Sequence, residues 1–177
     1  MILSIDTDGF SPNSNLLVIG LRTPNEVKLW KRWDYADERT MVSDFVDYFL
    51  GIEGDKIIIG FNLLKFDIPT LLHKTASQPR FEEFFRRLNS SNVIDLFTIL
   101  TFLNEGQLKG MDYYCQAFGV RNLGPKRDEI ARLYQVSGQE REKISQLVSL
   151  KLNTVSELFL KSWGAVKDGQ HMLWRKP

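Results

Sequence analysis

The chain has 177 residues, and at roughly 150 residues per domain that length fits one folded unit rather than two. Hydrophobic residues make up 43%, aromatic 12% and charged 25%, with 12 Gly and 6 Pro, which excludes a disordered, collagen-like or low-complexity chain. Lys plus Arg (23) nearly equals Asp plus Glu (22), so an anionic partner must meet a local patch, and a single Cys115 with two His excludes an intrachain disulfide, a thiolate zinc cage and a His-rich metal centre.

Leu3, Ile5 and Thr7 alternate with Ser4, Asp6 and Asp8, which predicts a strand ending at Gly9. After a polar linker at 11–15, the apolar runs Leu16 to Leu21 and Val27 to Trp33 complete a three-stranded antiparallel meander. Met41, Phe45, Val46, Phe49 and Leu50 keep helical spacing over Glu38 to Leu50, with Gly51 and Gly54 as stops. Lys56 to Phe61 is apolar without alternation, the pattern of a strand buried on both faces of a parallel sheet. A helix is expected over Thr70 to Ala76, with Asp67 as its N-cap and Pro69 in its first turn. A helix at Arg80 to Leu88, a buried strand at Asn92 to Leu96 and a helix at Phe97 to Leu103 follow. Helices at Met111 to Phe118, Asp128 to Tyr134 and about Glu140 to Val166 complete the reading. The expected architecture is one α/β domain over residues 1–167, a mixed five-stranded sheet with three antiparallel and then parallel strands, flanked by helices and followed by a tail at 168–177. That order of elements resembles a ribonuclease H-like fold. No apolar run long enough to span a membrane and no secretory leader pattern occurs, so a cytoplasmic location without membrane contact is expected.

Asp6 and Asp8 stand two apart on the first strand, which places their carboxylates on one face roughly 5–7 Å apart. A hard divalent cation would neutralise such a pair; equally, Asp8-Gly9 is a turn dipeptide at a strand end. The segment Gly60-Phe61-Asn62-Leu63-Leu64-Lys65-Phe66-Asp67-Ile68-Pro69 is similar to the second motif of the DEDD superfamily of 3′-5′ exonucleases, especially the exonuclease domain of family B DNA polymerases and its free-standing relatives. Ile5-Asp6-Thr7-Asp8 resembles the first motif, Asp-x-Glu, with Asp in the Glu position. Val93-Ile94-Asp95-Leu96 resembles the strand between the second and third motifs, Asp95 being equally a helix cap, and Gly110 to Tyr134 resembles the family's two small helices.

In that family the last long helix carries Tyr-x-x-x-Asp or His-x-x-x-x-Asp. Aligning Asn153-Thr154 with the family's frame puts Gln146 at the Tyr and Leu150 at the metal-binding Asp. On a helical wheel Ile144, Leu147, Val148, Leu152, Val155, Leu158 and Phe159 form the core stripe, Lys151 falls inside it and has to snorkel, and Gln146, Leu150, Asn153 and Glu157 share the side aimed at the cleft. Leu150 there calls for a covering surface, or simply widens the core stripe.

The resemblance implies phosphodiester hydrolysis with Mg2+ or Mn2+, one or two ions, held by Asp6, Asp8 and Asp67, with Asn153 and Glu157 as substitutes on the last helix. Loss of the third-motif acid implies impaired turnover. Phe10, Asn62, Lys65 and Phe66 are candidate contacts for single-stranded DNA or RNA, and Arg80, Phe81, Phe84, Phe85, Arg86 and Arg87 read as either a strand-binding stripe or an amphipathic core helix. The competing expectation is a catalytically inactive nuclease-fold accessory or scaffold subunit, with a protein partner or self-association near Leu150.

Overall fold

In the computed structural model, which describes residues 1–167 except 10, 12, 127, 128 and 137 and the side chains of 138, 139 and 166, the N-terminal strand lies at the centre of a five-stranded sheet. The strands are β1 (Ile2–Thr7), β2 (Leu16–Arg22), β3 (Val27–Lys31), β4 (Ile57–Gly60) and β5 (Asn92–Asp95). Their order is β3-β2-β1-β4-β5, antiparallel between β1, β2 and β3 and parallel from β1 to β4 to β5. The sheet is therefore mixed, as the patterns of alternating and continuous apolar residues require.

The helices are α1 (Glu38–Gly51), α2 (Ile68–Thr75), α3 (Phe81–Asn89), α4 (Leu96–Leu103), α5 (Met111–Ala117), α6 (Glu129–Gln135) and α7 (Gly138–Lys167). Two short pieces were not foreseen. The chain leaves β3 at Lys31 through a 3-10 turn at Arg32–Asp34, and it enters α2 through a π-helical turn at Leu63–Asp67.

Because strand side chains alternate, the sheet has two apolar faces to cover. Leu3, Ile5, Ile19, Leu21, Trp30 and Ile58 pack against α1, α2 and α3, where Trp30 meets Phe45 edge-on at 5.0 Å. Ile2, Val18 and Ile59 face the other way and are covered by α4 to α7. The helix α3, read as a possible strand-binding stripe, is a packing element. Phe84 and Leu88 are buried, Arg80 pairs with Asp47 and Glu83, and Arg87 donates to the carbonyls of Ile52 and Gly54 after α1.

Two glycines set how closely other elements approach β1. A methyl at Gly20 would lie 3.0 Å from Val148 Cγ1 and 3.1 Å from Leu152 Cδ1, so its absence lets α7 press onto the sheet beside β1. At Gly60 a methyl would lie 2.6 Å from Leu63 Cγ and 2.9 Å from the Leu3 carbonyl oxygen, and the latter cannot give way. Gly60→Ala is accordingly expected to cost about 2 kcal/mol, read as a lower urea midpoint. Gly51→Ala is the control: nothing lies within 4 Å of the added methyl, and the midpoint should stay or rise slightly.

Candidate functional site

Asp6 and Asp8 line the same cavity, Asp6 from within β1 and Asp8 from just past its end. The β1–β2 register shifts between Asp6 and Thr7, where Asp6 pairs with Val18 but Thr7 with Leu16. The extra residue is Leu17, so the two-residue alternation is broken in β2, where Leu17 and Val18 face the same side. Asp6 stays on the α7 side of the sheet, whereas Asp8 turns to the adjoining loop. There its oxygens accept from the Asn15 backbone N–H at 2.8 Å and from Asn15 Nδ2 at 2.6 Å. The turn-forming reading of Asp8 describes its hydrogen bonds better than the ligand reading.

The motif-like segment 60–67 has a structural reason at each marked position. Gly60 makes room for Leu63. Asn62 sits in the left-handed region at φ 70°, which a short amide side chain tolerates better than most. Its N–H donates to Asp95 Oδ1 at 2.9 Å, the Leu64 N–H to Asp95 Oδ2 at 3.0 Å, and the Phe97 N–H to Asp95 Oδ1 at 3.0 Å. Asp95, read as a helix cap, is therefore both the N-cap of α4 and the anchor of the π-helical turn.

Asp67 stands at the N-cap position of α2, where the sequence put it, but it does not cap the helix. Its backbone is already helical, its side chain makes no capping bond, and its Oδ1 instead accepts the Ile5 N–H at 2.5 Å. β4 pairs with β1 only at Ile2–Ile59, so the Ile5 amide further along β1 takes its acceptor from this carboxylate.

The residue that sequence reasoning misplaced is Lys151. It does not snorkel to solvent: its Nζ donates to Asp6 Oδ1 at 2.8 Å, with only 22% of the Lys151 side chain and 10% of the Asp6 side chain exposed. The loop after α5 closes over it, because a methyl at Gly124 would stand 3.2 Å from Lys151 Cβ, and the Leu123 N–H holds that loop to Thr154 Oγ1 at 3.3 Å. The signal was present in the sequence as a lone cation within an apolar stripe, a position that demands a buried counter-charge.

The other expected substitutes on α7 lie elsewhere. Asn153 accepts from Arg22 at 2.6 Å, and Glu157 pairs with Lys161 on an exposed side of the helix. Leu150 is half-buried rather than displayed, and Gln146 is exposed. Large exposed apolar groups are found instead at Phe102 (82% exposed) on α4 and at Leu160 and Trp163 near the end of α7.

Asp6, Asp67 and Lys151 line the floor of a cavity of about 480 Å³. Asp8 and Asn62 are at its wall with the rings of Phe61, Phe66 and Phe97, and Lys126 adds a second cation. Lys65 is exposed and stands over the Phe97 ring at 5.2 Å, outside the lining. Phe10 lies outside the described residues, as does the tail at 168–177.

Among the described residues no three carboxylate, His or Cys groups converge for a divalent ion, and an ammonium already occupies the side of Asp6 that faces α7. Burial pulls the Lys151 pKa down, but Asp6 and Asp67 together with the hydrogen bond outweigh it and hold the group above the ordinary lysine value. One ammonium balances one carboxylate. Burial pushes Asp67 up to about 7, with Asp6 adding to the rise and Lys151 and the Ile5 N–H opposing it.

No family model and no curated protein matches the chain. Among the described residues no helix is long and apolar enough to cross a membrane.

Folded Asp67 keeps its proton up to about pH 7, while an unfolded Asp releases it near its ordinary value of about 3.9. Between those values the folded state binds the extra proton, so this contribution to stability is complete below about pH 4 and is lost as pH rises through 7. Asp67→Asn, which keeps an acceptor without the charge, is expected to stabilise the protein by roughly 2–4 kcal/mol at pH 8. The gain should vanish by about pH 4, as measured by urea denaturation across the range.

Proposed function

We propose that this protein is a catalytically silent, nuclease-fold accessory protein that holds a single-stranded nucleic-acid end in its cleft without a metal ion. The observation that carries this reading is the Lys151–Asp6 ion pair on the cleft floor, at 2.8 Å. Two-ion hydrolysis of a phosphodiester needs carboxylates free to hold the ions that make the hydroxide and stabilise the leaving oxygen. Here Asp8 is engaged by Asn15, Asp6 by an ammonium and Asp67 by a backbone amide. The mixed sheet, the order of strands and the long final helix agree with the ribonuclease H-like fold that the sequence resemblance implies.

What the cleft retains is suited to holding a strand. Phe66, Phe61 and Phe97 offer aromatic surface to bases, and Lys126 offers positive charge to a phosphate without the need of a metal bridge. The competing reading is a slow metal-dependent exonuclease, which the two experiments below separate from this one.

A 3′-labelled single strand of DNA or RNA should not shorten in the presence of Mg2+ or Mn2+, and its binding, read by fluorescence anisotropy, should be insensitive to EDTA. Phe66→Ala should weaken binding by roughly 10-fold, the worth of about one stacked base. Metal-dependent shortening that disappears in Asp6→Ala, or failure to bind either nucleic acid, would overturn the proposal.

A further inference from the structure

The carboxylates of Asp6 and Asp67 reach the cleft floor from two different elements, β1 and the π-helical turn, and neither element has freedom to withdraw. Asp6 belongs to the central strand, and the Asp67 oxygen is tied to the amide of Ile5, the residue next to Asp6. Two carboxylates fixed in this way repel, and desolvation aggravates the repulsion unless a cation lies beside them. The chain supplies that cation from α7. Gly20 lets the helix close on the sheet, Gly124 lets a loop seal the Lys151 stem, and the ammonium then interacts with both carboxylates.

Resting on the metal-free reading of the cleft, we propose that Lys151 is a tethered substitute for a divalent cation: its ammonium fills the cation position beside Asp6 and Asp67, bars divalent ions from it, and leaves a latent divalent-metal site that opens when the side chain is removed. The size of the group makes the exchange physically reasonable. An ammonium sits 2.8 Å from Asp6 Oδ1, whereas Mg2+ or Mn2+ would approach a carboxylate to about 2.1 Å. A divalent ion bound to the Lys151-facing oxygen of Asp6 would then lie within a few ångströms of the ammonium, with like charges facing each other in a site shielded from water. The two cations are mutually exclusive there.

A purely structural ion pair would also make Lys151 important for folding, so stability alone does not test the proposal. Metal binding does. The free aqua-Mn2+ signal in electron paramagnetic resonance should be unchanged by the wild-type protein. It should fall on addition of Lys151→Ala, with a dissociation constant on the order of 1 mM, and Asp67→Asn in the Lys151→Ala background should abolish that gain. Lys151→Ala should also lower the thermal midpoint by roughly 10 °C, and saturating Mn2+ should recover part of the loss.

Were Lys151→Ala unfolded without metal, Mn2+ should drive its refolding, seen by circular dichroism, and absence of refolding would count against the proposal. A folded Lys151→Ala that takes up no Mn2+ would overturn the inference while leaving the metal-free accessory reading intact. Wild-type protein that binds Mn2+ through Asp6 and Asp67 would overturn both.

Discussion

A single ammonium set against two fixed carboxylates governs the arrangement of this cleft. It determines which way α7 faces. A lone charged side chain buried without a partner costs several kcal/mol even after relaxation, while an apolar side chain left at a polar rim forgoes only about 1.5–3 kcal/mol of burial. The helix therefore settles with Lys151 over Asp6 and leaves Leu150 half-buried beside it. Rotation by one residue, about 100°, would exchange those two outcomes and lose on the larger. The thirty-residue helix takes its phase from that ion pair together with the contacts of Val148 and Leu152 at Gly20.

The same constraint explains the neighbouring acid. Had a divalent ion occupied this floor, its two charges would have allowed both Asp6 and Asp67 to ionise. Here burial pushes Asp67 up to about 7, with Asp6 adding to the rise, and the single charge of Lys151 opposes the shift without cancelling it. The short bond from the Ile5 N–H opposes that rise but does not cancel it. Asp67 thereby works chiefly as a brace, closing the backbone hydrogen bonding of β1 where β4 has ended.

Most of the fold was legible because it rests on periodicity. Alternation marked β1, continuous apolar runs marked β4 and β5, and helical spacing placed α1 and the last helix within a few residues. The site was legible only where local chemistry decides it. Asp67 and Asn62 were singled out as a pair and do line one cavity. Asp8 carried two readings, and the bonds to Asn15 that favour the turn former depend on how the loop closes, which a two-residue pattern does not show. Lys151 was misread because its partner lies 145 residues away: its place in the apolar stripe called for a counter-charge, but nothing near it in sequence names Asp6 as the one. The motif-like run 60–67 teaches a related lesson. Gly60, Asn62 and Asp67 each answer a backbone requirement of the strand-to-helix turn, so their spacing alone does not report metal chemistry.

Retaining charge on this floor is not the route to greatest stability. Well-packed apolar groups in place of a buried ion pair are often neutral or stabilising by about 1–4 kcal/mol, and protein interiors fill voids to near-crystalline density where nothing keeps them open. This chain does neither. It carries an ion pair that leaves a second acid to hold its proton, and it keeps a cavity of about 480 Å³ above them, walled by aromatic rings and reached by a second lysine. Polar floor, aromatic wall and open volume together are the ingredients of a ligand site. On the proposed reading the exchange of metal for lysine removes the means of cutting a strand while leaving the means of holding one, because stacking and phosphate contact depend on the aromatic walls and on Lys126 rather than on the pair of ions that hydrolysis requires.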